Sequence, residues 1–256
     1  MMGKEGIWVF RQQTKEENRM GKKKQANSNR MQTLTLATVI ILFLGLGVFA
    51  LVNNIIGGDE EKGDAGQEAT VDETVFAYDQ QPVLGNGDAP VRIVEFGDYK
   101  CPTCKRFADE IYPKLKKDYL DNDKAGFYFI NNQFLGEDSI TAGIAGEAVH
   151  EQDPAAFWKF HEEIYKNQGN ERETWATKDF LVKLAKQAAP GIDHDKLEKA
   201  IDKESFKQQV EQDKAIAIQS GVSSVPSLFI NGRPVPDSLD YEGIKKMIEE
   251  ELKKAK

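Results

Sequence analysis

Pro90-Val91-Arg92-Ile93-Val94-Glu95-Phe96-Gly97-Asp98-Tyr99-Lys100-Cys101-Pro102-Thr103-Cys104 is the stretch from which the fold can be read. Val91 to Phe96 is almost continuously apolar, the pattern of a strand buried on both faces. Pro102 suits the first position of a helix, where its missing N–H costs nothing. Cys104, Phe107, Ala108, Ile111, Leu115 and Tyr119 then recur on one helical face, and Pro113 predicts a kink. The two cysteines are the only ones in 256 residues. A strand that feeds such a pair into the first turn of a helix is the arrangement of a thiol–disulfide redox site, and no other thiol is available for a separate structural disulfide.

Working outward, Ala125 to Asn131 reads as a second strand, so strand, helix and strand form a βαβ unit with a parallel pair. The middle of the chain is helical. Ser139 to Val149 is small and apolar, and Asp153-Pro154 supplies an N-cap and N1 proline to a helix carrying Phe157, Phe160, His161, Ile164 and Tyr165. Thr177 and Asp193 open two more helices, and a longer one is predicted from about Glu204 to Gln219, closing at Gly221. Ser227 to Ile230 returns to strand, Asn231-Gly232 signals a hairpin turn, and Arg233-Pro234-Val235 is a short edge. A last helix from about Asp240 to Lys254 turns Ile244, Met247, Ile248 and Leu252 inward. The order βαβ, helices, ββα predicts an α/β thioredoxin-like fold over residues 75–256 with a helical subdomain inserted at about 136–221.

Thr33 to Ile56 is 24 residues without a charge. As a helix it spans about 36 Å, enough to cross a hydrocarbon core of ~30 Å. Residues 1–32 hold eight Lys/Arg against three acids, and Asp59-Glu60-Glu61 follows the apolar run. The asymmetry predicts a cytoplasmic basic tail at 1–32 beside anionic lipid, a single transmembrane anchor at 33–56, and a catalytic domain outside the cytosol, where disulfides persist. A cleaved signal peptide fits less well: its apolar core is shorter, and Val48-Phe49-Ala50 is a poor cleavage signal. Met20-Gly21-Lys22-Lys23-Lys24 would itself make a normal basic start. Residues 57–74, rich in Gly, Asp and Glu, read as a flexible linker. From residue 33 onward 26 basic side chains face 39 acidic ones, which argues against nucleic acid as a partner.

The Pro90–Cys104 stretch, together with Val225-Pro226 before the late strand, resembles the DsbA family of extracytoplasmic thiol–disulfide oxidoreductases, most closely the membrane-anchored forms of Gram-positive bacteria. The likeness covers roughly residues 75–256. It implies a protein disulfide oxidoreductase that introduces disulfides into exported proteins with free thiols and is reoxidised by a DsbB-like membrane quinone reductase. Glu95, by the same resemblance, relays a proton to or from the inner cysteine. Pro226 is implied to be cis beside the cysteines, with Val225 offering backbone groups to substrate and Pro102 and Thr103 bordering it. The Pro-Thr dipeptide departs from members that carry a histidine between the cysteines, which leaves the potential open. A reductase or isomerase is the alternative direction, and a membrane-tethered chaperone or binding module the alternative class.

The chemistry expected of the pair is asymmetric. Cys101 at a helix N-terminus meets unpaired N–H groups and the positive end of the dipole. Moving a thiol from about 8.5 to ~4.5 needs about 5–6 kcal/mol of thiolate stabilisation, of which the dipole supplies at most ~2. The N–H groups of Thr103 and Cys104 are expected to supply much of the rest, with Lys100 helping through space. Cys104, a turn inward, is the resolving sulfur. The redox disulfide needs no cofactor. Zinc lacks ligands, since His150, His161 and His194 have no finger spacing and are read as surface or packing residues. No calcium loop is present, and scattered acids leave a structural calcium open. Trp158 and Trp175 are read as subdomain core.

Overall fold

The computed structural model describes residues 70–255. The expected basic tail, the anchor at 33–56 and all but the end of the 57–74 linker lie outside the described residues, among which no helix is long and apolar enough to cross a membrane. Folded structure begins a few residues before 75. Asp72 caps a short 3-10 turn, Glu73–Phe76, and the Val71 N–H donates to the Gly232 carbonyl at 2.8 Å.

Five strands form one sheet: β1 (Val83–Gly85), β2 (Val91–Gly97), β3 (Ala125–Asn131), β4 (Ser227–Ile230) and β5 (Arg233–Pro234). Their spatial order is β1-β3-β2-β4-β5, with β2 and β3 parallel and the other pairs antiparallel. The apolar run at 91–96 is therefore the central strand, which is why it carries no polar alternation. Ile93 stands opposite Phe127 on one side and Ile230 on the other. Odd-numbered residues of β2 and β3 face a large core with Phe107, Leu115, Ile244 and Ile248, whereas Val94, Phe96, Tyr128, Ile130 and Phe229 face a smaller one closed by Phe76 and Ala217. Each large side chain so buried contributes ~1.5–3 kcal/mol.

Helix α1 (Pro102–Glu110) starts with proline in its first turn, as its sequence predicts. It breaks at Ile111, and Pro113 sits in the first turn of α2 (Tyr112–Leu115), followed by a wide π turn at Lys116–Leu120. The break is the proline effect: Pro113 has no N–H to donate back into α1.

Between β3 and β4 lies the helical block: α3 (Glu137–Gln152), α4 (Pro154–Lys166), α5 (Lys178–Ala188), α6 (His194–Asp202) and α7 (Lys207–Gln219). Asp153, Thr177 and Asp193 cap α4, α5 and α6 through their side chains. Helix α7 begins at Lys207 rather than near Glu204, which takes a left-handed φ of 48° in the preceding turn. Helix α8 (Tyr241–Lys254) ends the fold, with Leu252 only partly buried and Glu251 buried instead. The expected thioredoxin-like architecture with a helical insertion is thus present.

Two further features differ from the sequence reading. Strand β1 escaped it, three residues being too few for a period-2 pattern. Trp158 is not confined to the subdomain: it stacks with Tyr112, lies 5.7 Å from the Phe127 ring, and donates its indole N–H to the Val83 carbonyl at 2.9 Å. His161 lies 4.6 Å from the Phe129 ring, so α4 is seated on the sheet by an aromatic joint.

Candidate active site

Cys101 is the N-cap of α1, with extended backbone (φ −74°, ψ 120°), because the strand must turn through Gly97–Lys100 before the helix can start. Asp98 organises that turn. Its fully buried carboxylate accepts from the backbone N–H groups of Lys100 (2.8 Å), Phe134 (2.8 Å) and Leu135 (3.0 Å) and from the Ser139 hydroxyl (2.5 Å). Gln168, just beyond α4, donates to the carbonyls of Tyr99 (2.8 Å) and Cys101 (3.0 Å). The helical block therefore holds the redox turn directly. Sequence reasoning gave Asp98 and Gln168 no part; Asp98 lay within the quoted motif, whereas nothing local marks Gln168.

Both cysteines are free thiols, Cys101 at 7 % exposure and Cys104 fully buried. The Cys101 thiol is lowered to about 6, first by a hydrogen bond from the Cys104 thiol and then by the N–H groups of Cys104 and Thr103, against burial and the nearby Asp98. From 9.0 that corresponds to about 4 kcal/mol in favour of the thiolate. The shift is smaller than the sequence suggested, because burial and Asp98 oppose it. Lys100 does not assist. Its side chain is buried and its ammonium is held by Asp138 Oδ1 (2.7 Å) and the Glu173 carbonyl (2.9 Å). Burial raises the Cys104 thiol well above its usual range, reinforced by its hydrogen bond to Cys101 and by Glu95.

Glu95 is 1 % exposed, on the β2 face that carries Ile93. Burial raises its carboxyl well above the usual range, with Cys101 adding to the effect, which favours the neutral acid. Its Oε1 has no hydrogen-bond partner among the described residues. The Val225–Pro226 peptide is cis, and the Val225 carbonyl lies 3.5 Å from Cys101 Sγ, accepting from the thiol. The chain thus brings together Cys101, Cys104, Glu95 and the Val225–Pro226 turn, with Pro102 and Thr103 exposed beside Cys101.

A second polar centre lies under the helical block. The Asn131 side-chain amide donates to Glu147 Oε1 (2.7 Å) and Asp213 Oδ2 (3.0 Å), and Gln81 Nε2 donates to Asp213 Oδ1 (3.1 Å). Burial raises Glu147 to about 8, with Asp213 adding to it, and burial raises Asp213 to about 6. Among the described residues no three His, Cys, Asp or Glu side chains are arranged to hold a metal. His161 is no ligand: burial lowers it to about 3, and its Nδ1 lies 3.0 Å from the Tyr99 hydroxyl. His150 and His194 are partly buried.

A thiolate-favouring cysteine at a helix N-terminus, a second thiol buried in that helix's first turn and a buried acid that acts on both, on a thioredoxin-like sheet, define a dithiol redox protein. Known proteins agree. The thioredoxin family model matches residues 78–250. The probable disulfide bond formation protein D of Bacillus cereus is 37 % identical over 227 residues, covering 89 % of this chain and 99 % of that protein. Disulfide bond formation protein D of Bacillus subtilis is 42 % identical over 173 residues, 68 % of this chain and 78 % of that protein. The crystal structure of oxidised BdbD from Bacillus subtilis superposes with a TM-score of 0.67 at 39 % identity, covering 73 % of this chain and 97 % of that one. Chlamydia trachomatis DsbA, at 23 % identity and a TM-score of 0.62 over 68 % of this chain and 92 % of that one, shares the fold. The chain belongs to the DsbA-like thiol–disulfide oxidoreductases of the thioredoxin family, alongside these disulfide bond formation proteins.

Proposed function

We propose that this chain is a membrane-tethered oxidase that introduces disulfides into exported proteins. The lowered Cys101 thiol carries the reading, since a stabilised reduced form makes the disulfide form the stronger oxidant. Relatives named for disulfide bond formation support it. A substrate thiolate attacks Cys101 Sγ; the Cys101–Cys104 bond breaks and Cys104 leaves as a thiolate. Glu95 gives that thiolate its proton. A second substrate thiolate then attacks the substrate sulfur of the mixed disulfide and displaces Cys101 as a thiolate. Two electrons have moved from substrate to the cysteine pair, and a DsbB-like membrane quinone reductase removes them. The Val225 carbonyl and the exposed Pro102 and Thr103 border the path of the incoming substrate strand, with Pro226 shaping it.

Residues 33–56 would serve as the anchor, leaving the N-terminus in the cytoplasm and the domain above the lipid surface, where a tether raises the effective concentration of a membrane partner.

The deciding experiment pairs Cys101→Ser with a redox equilibrium against glutathione. Catalysed disulfide formation is lost in the variant, and the wild-type potential lies above about −230 mV. A value well below that makes the protein a reductase. Undiminished activity in Cys101→Ser turns the reading to a tethered binding module.

A further inference from the structure

Glu95 must give up and regain a proton at a place solvent does not reach directly, and the mechanism above names no group that brings it. Gly97 stands two residues along β2 on the same face as Glu95. A Cβ at Gly97 would lie 3.0 Å from the Tyr165 hydroxyl and 2.5 Å from Phe129 Cε2, so the missing side chain is what lets that hydroxyl reach the strand. Tyr165 arrives from α4 and is 1 % exposed. Like Glu95 Oε1, its hydroxyl has no hydrogen-bond partner among the described residues. A buried polar atom left unpaired costs about 1–3 kcal/mol. Two of them that act on one another and on Cys104 electrostatically call for a working explanation.

The groups that act on the Tyr165 hydroxyl electrostatically are Cys104, Glu95, Tyr99 and Asp98, and the His161 ring lies 5.1 Å from the Tyr165 ring, centroid to centroid. In the other direction Tyr165 lines a cavity of about 350 Å³ between α1–α2 and α4, together with Ala108, Tyr112, Pro113, His161 and Glu162. Tyr112 donates its hydroxyl to Glu162 Oε1 at 3.2 Å in that cavity. The tyrosine that acts on the acid electrostatically thus also borders a cavity open to solvent.

We infer that Tyr165 is the positioning and relay residue for Glu95, its hydroxyl passing protons between the carboxyl and the cavity bounded by α1, α2 and α4. When Cys104 leaves as a thiolate it takes the Glu95 proton; the carboxylate regains one from the Tyr165 hydroxyl, directly or across one water, as the phenol oxygen takes another from the cavity side. No electrons move in this step. Reoxidation runs it in reverse. The inference rests on the proton-donor reading of Glu95.

The test is stopped-flow reduction of the oxidised full chain by dithiothreitol between pH 5 and 9, for wild type, Tyr165→Phe, Glu95→Gln and the double variant. General acid–base groups contribute about 10²–10⁴-fold, and a relay behind one of them supplies a smaller part of that. Tyr165→Phe is expected to react about tenfold more slowly, with a shifted pH profile and an unchanged Cys101 midpoint at 240 nm. The double variant is then no slower than Glu95→Gln. Wild-type rates in Tyr165→Phe, or losses that multiply in the double variant, overturn the relay. A wild-type rate in Glu95→Gln overturns the donor reading itself and the relay with it. Should Tyr165→Phe fail to fold, a fluorinated tyrosine at 165 changes the phenol acidity within the native ring; an unaltered rate and pH profile overturn the relay, and a shifted profile supports it.

Discussion

Cys101 Sγ lies 3.5 Å from the carbonyl oxygen of Val225, 124 positions later in the chain. The whole helical block is spliced between these two residues, and the antiparallel pairing of β4 with β2 brings them back together. The outer thiol therefore faces backbone on one side and the buried Cys104 on the other. Of the two sulfurs, Cys101 belongs to the residue that solvent reaches, at 7 % exposure against none for Cys104.

Because the Cys104 thiol is the first cause of the lowered Cys101 value, Cys104→Ala should move the Cys101 titration upward. A hydrogen bond to a charged group contributes about 1.5–3 kcal/mol, which corresponds to a shift of roughly one to two pH units. Ultraviolet titration at 240 nm reads it. A midpoint that stays near the wild-type value would assign the thiolate to the helix N–H groups alone.

The same thiol couples stability to pH. Its folded value is below its ordinary one, so the stabilisation is complete above about pH 9 and disappears as pH falls through about 6. The disulfide form has no such titration. The dithiol form should therefore gain on the disulfide form by up to about 1.4 kcal/mol per pH unit in this window. Denaturant unfolding of the two forms at several pH values measures the gap, and a gap independent of pH would falsify the assignment.

Glu147 behaves in the opposite sense. Its folded value is raised to about 8, so its contribution is full below the ordinary carboxyl range and is lost as pH climbs toward 8. In chelator, Glu147→Gln should flatten the fall in Tm between pH 5 and 8 while keeping an oxygen for Asn131. An equally steep fall in the variant would place the titration elsewhere.

Lys100 and Asp138 form a buried pair, with side chains 4 % and 7 % exposed. Asp138 also accepts from the N–H groups of Trp175 and Ala176. Removing the ammonium in Lys100→Met should cost about 3–5 kcal/mol, because the carboxylate remains buried. The Cys101 midpoint should hardly move, since the Lys100 ammonium is held by Asp138 and the Glu173 carbonyl. A large change in that midpoint with little loss of stability would restore the through-space role read from the sequence.

Gly232 occupies a left-handed turn position, φ 76°, and a Cβ there would lie 2.3 Å from the Val71 carbonyl. Gly232→Ala should destabilise by about 1–3 kcal/mol and release the segment around Val71. Hydrogen exchange at the Val71 amide, which donates to the Gly232 carbonyl, reports that release. Undiminished protection there would show that the turn absorbs the methyl group.

Local order made much of this protein legible in one dimension. An unbroken apolar run marks a central strand, Pro102 and Asp153-Pro154 mark helix starts, and a cysteine pair at a strand–helix junction marks its chemistry; each depends on neighbours within a few positions. What escaped were partnerships. Three residues of β1 show no period until β3 lies beside them, and Lys100 looks like a free charge until Asp138 buries it. Tyr165 reads as one more apolar-face aromatic until Gly97 admits its hydroxyl to the strand below. Propensity and capping act along the chain, whereas burial, hydrogen-bond satisfaction and the ionisation of Cys101, Glu95 and Glu147 depend on what packing brings from far away. Only the tertiary structure decides those.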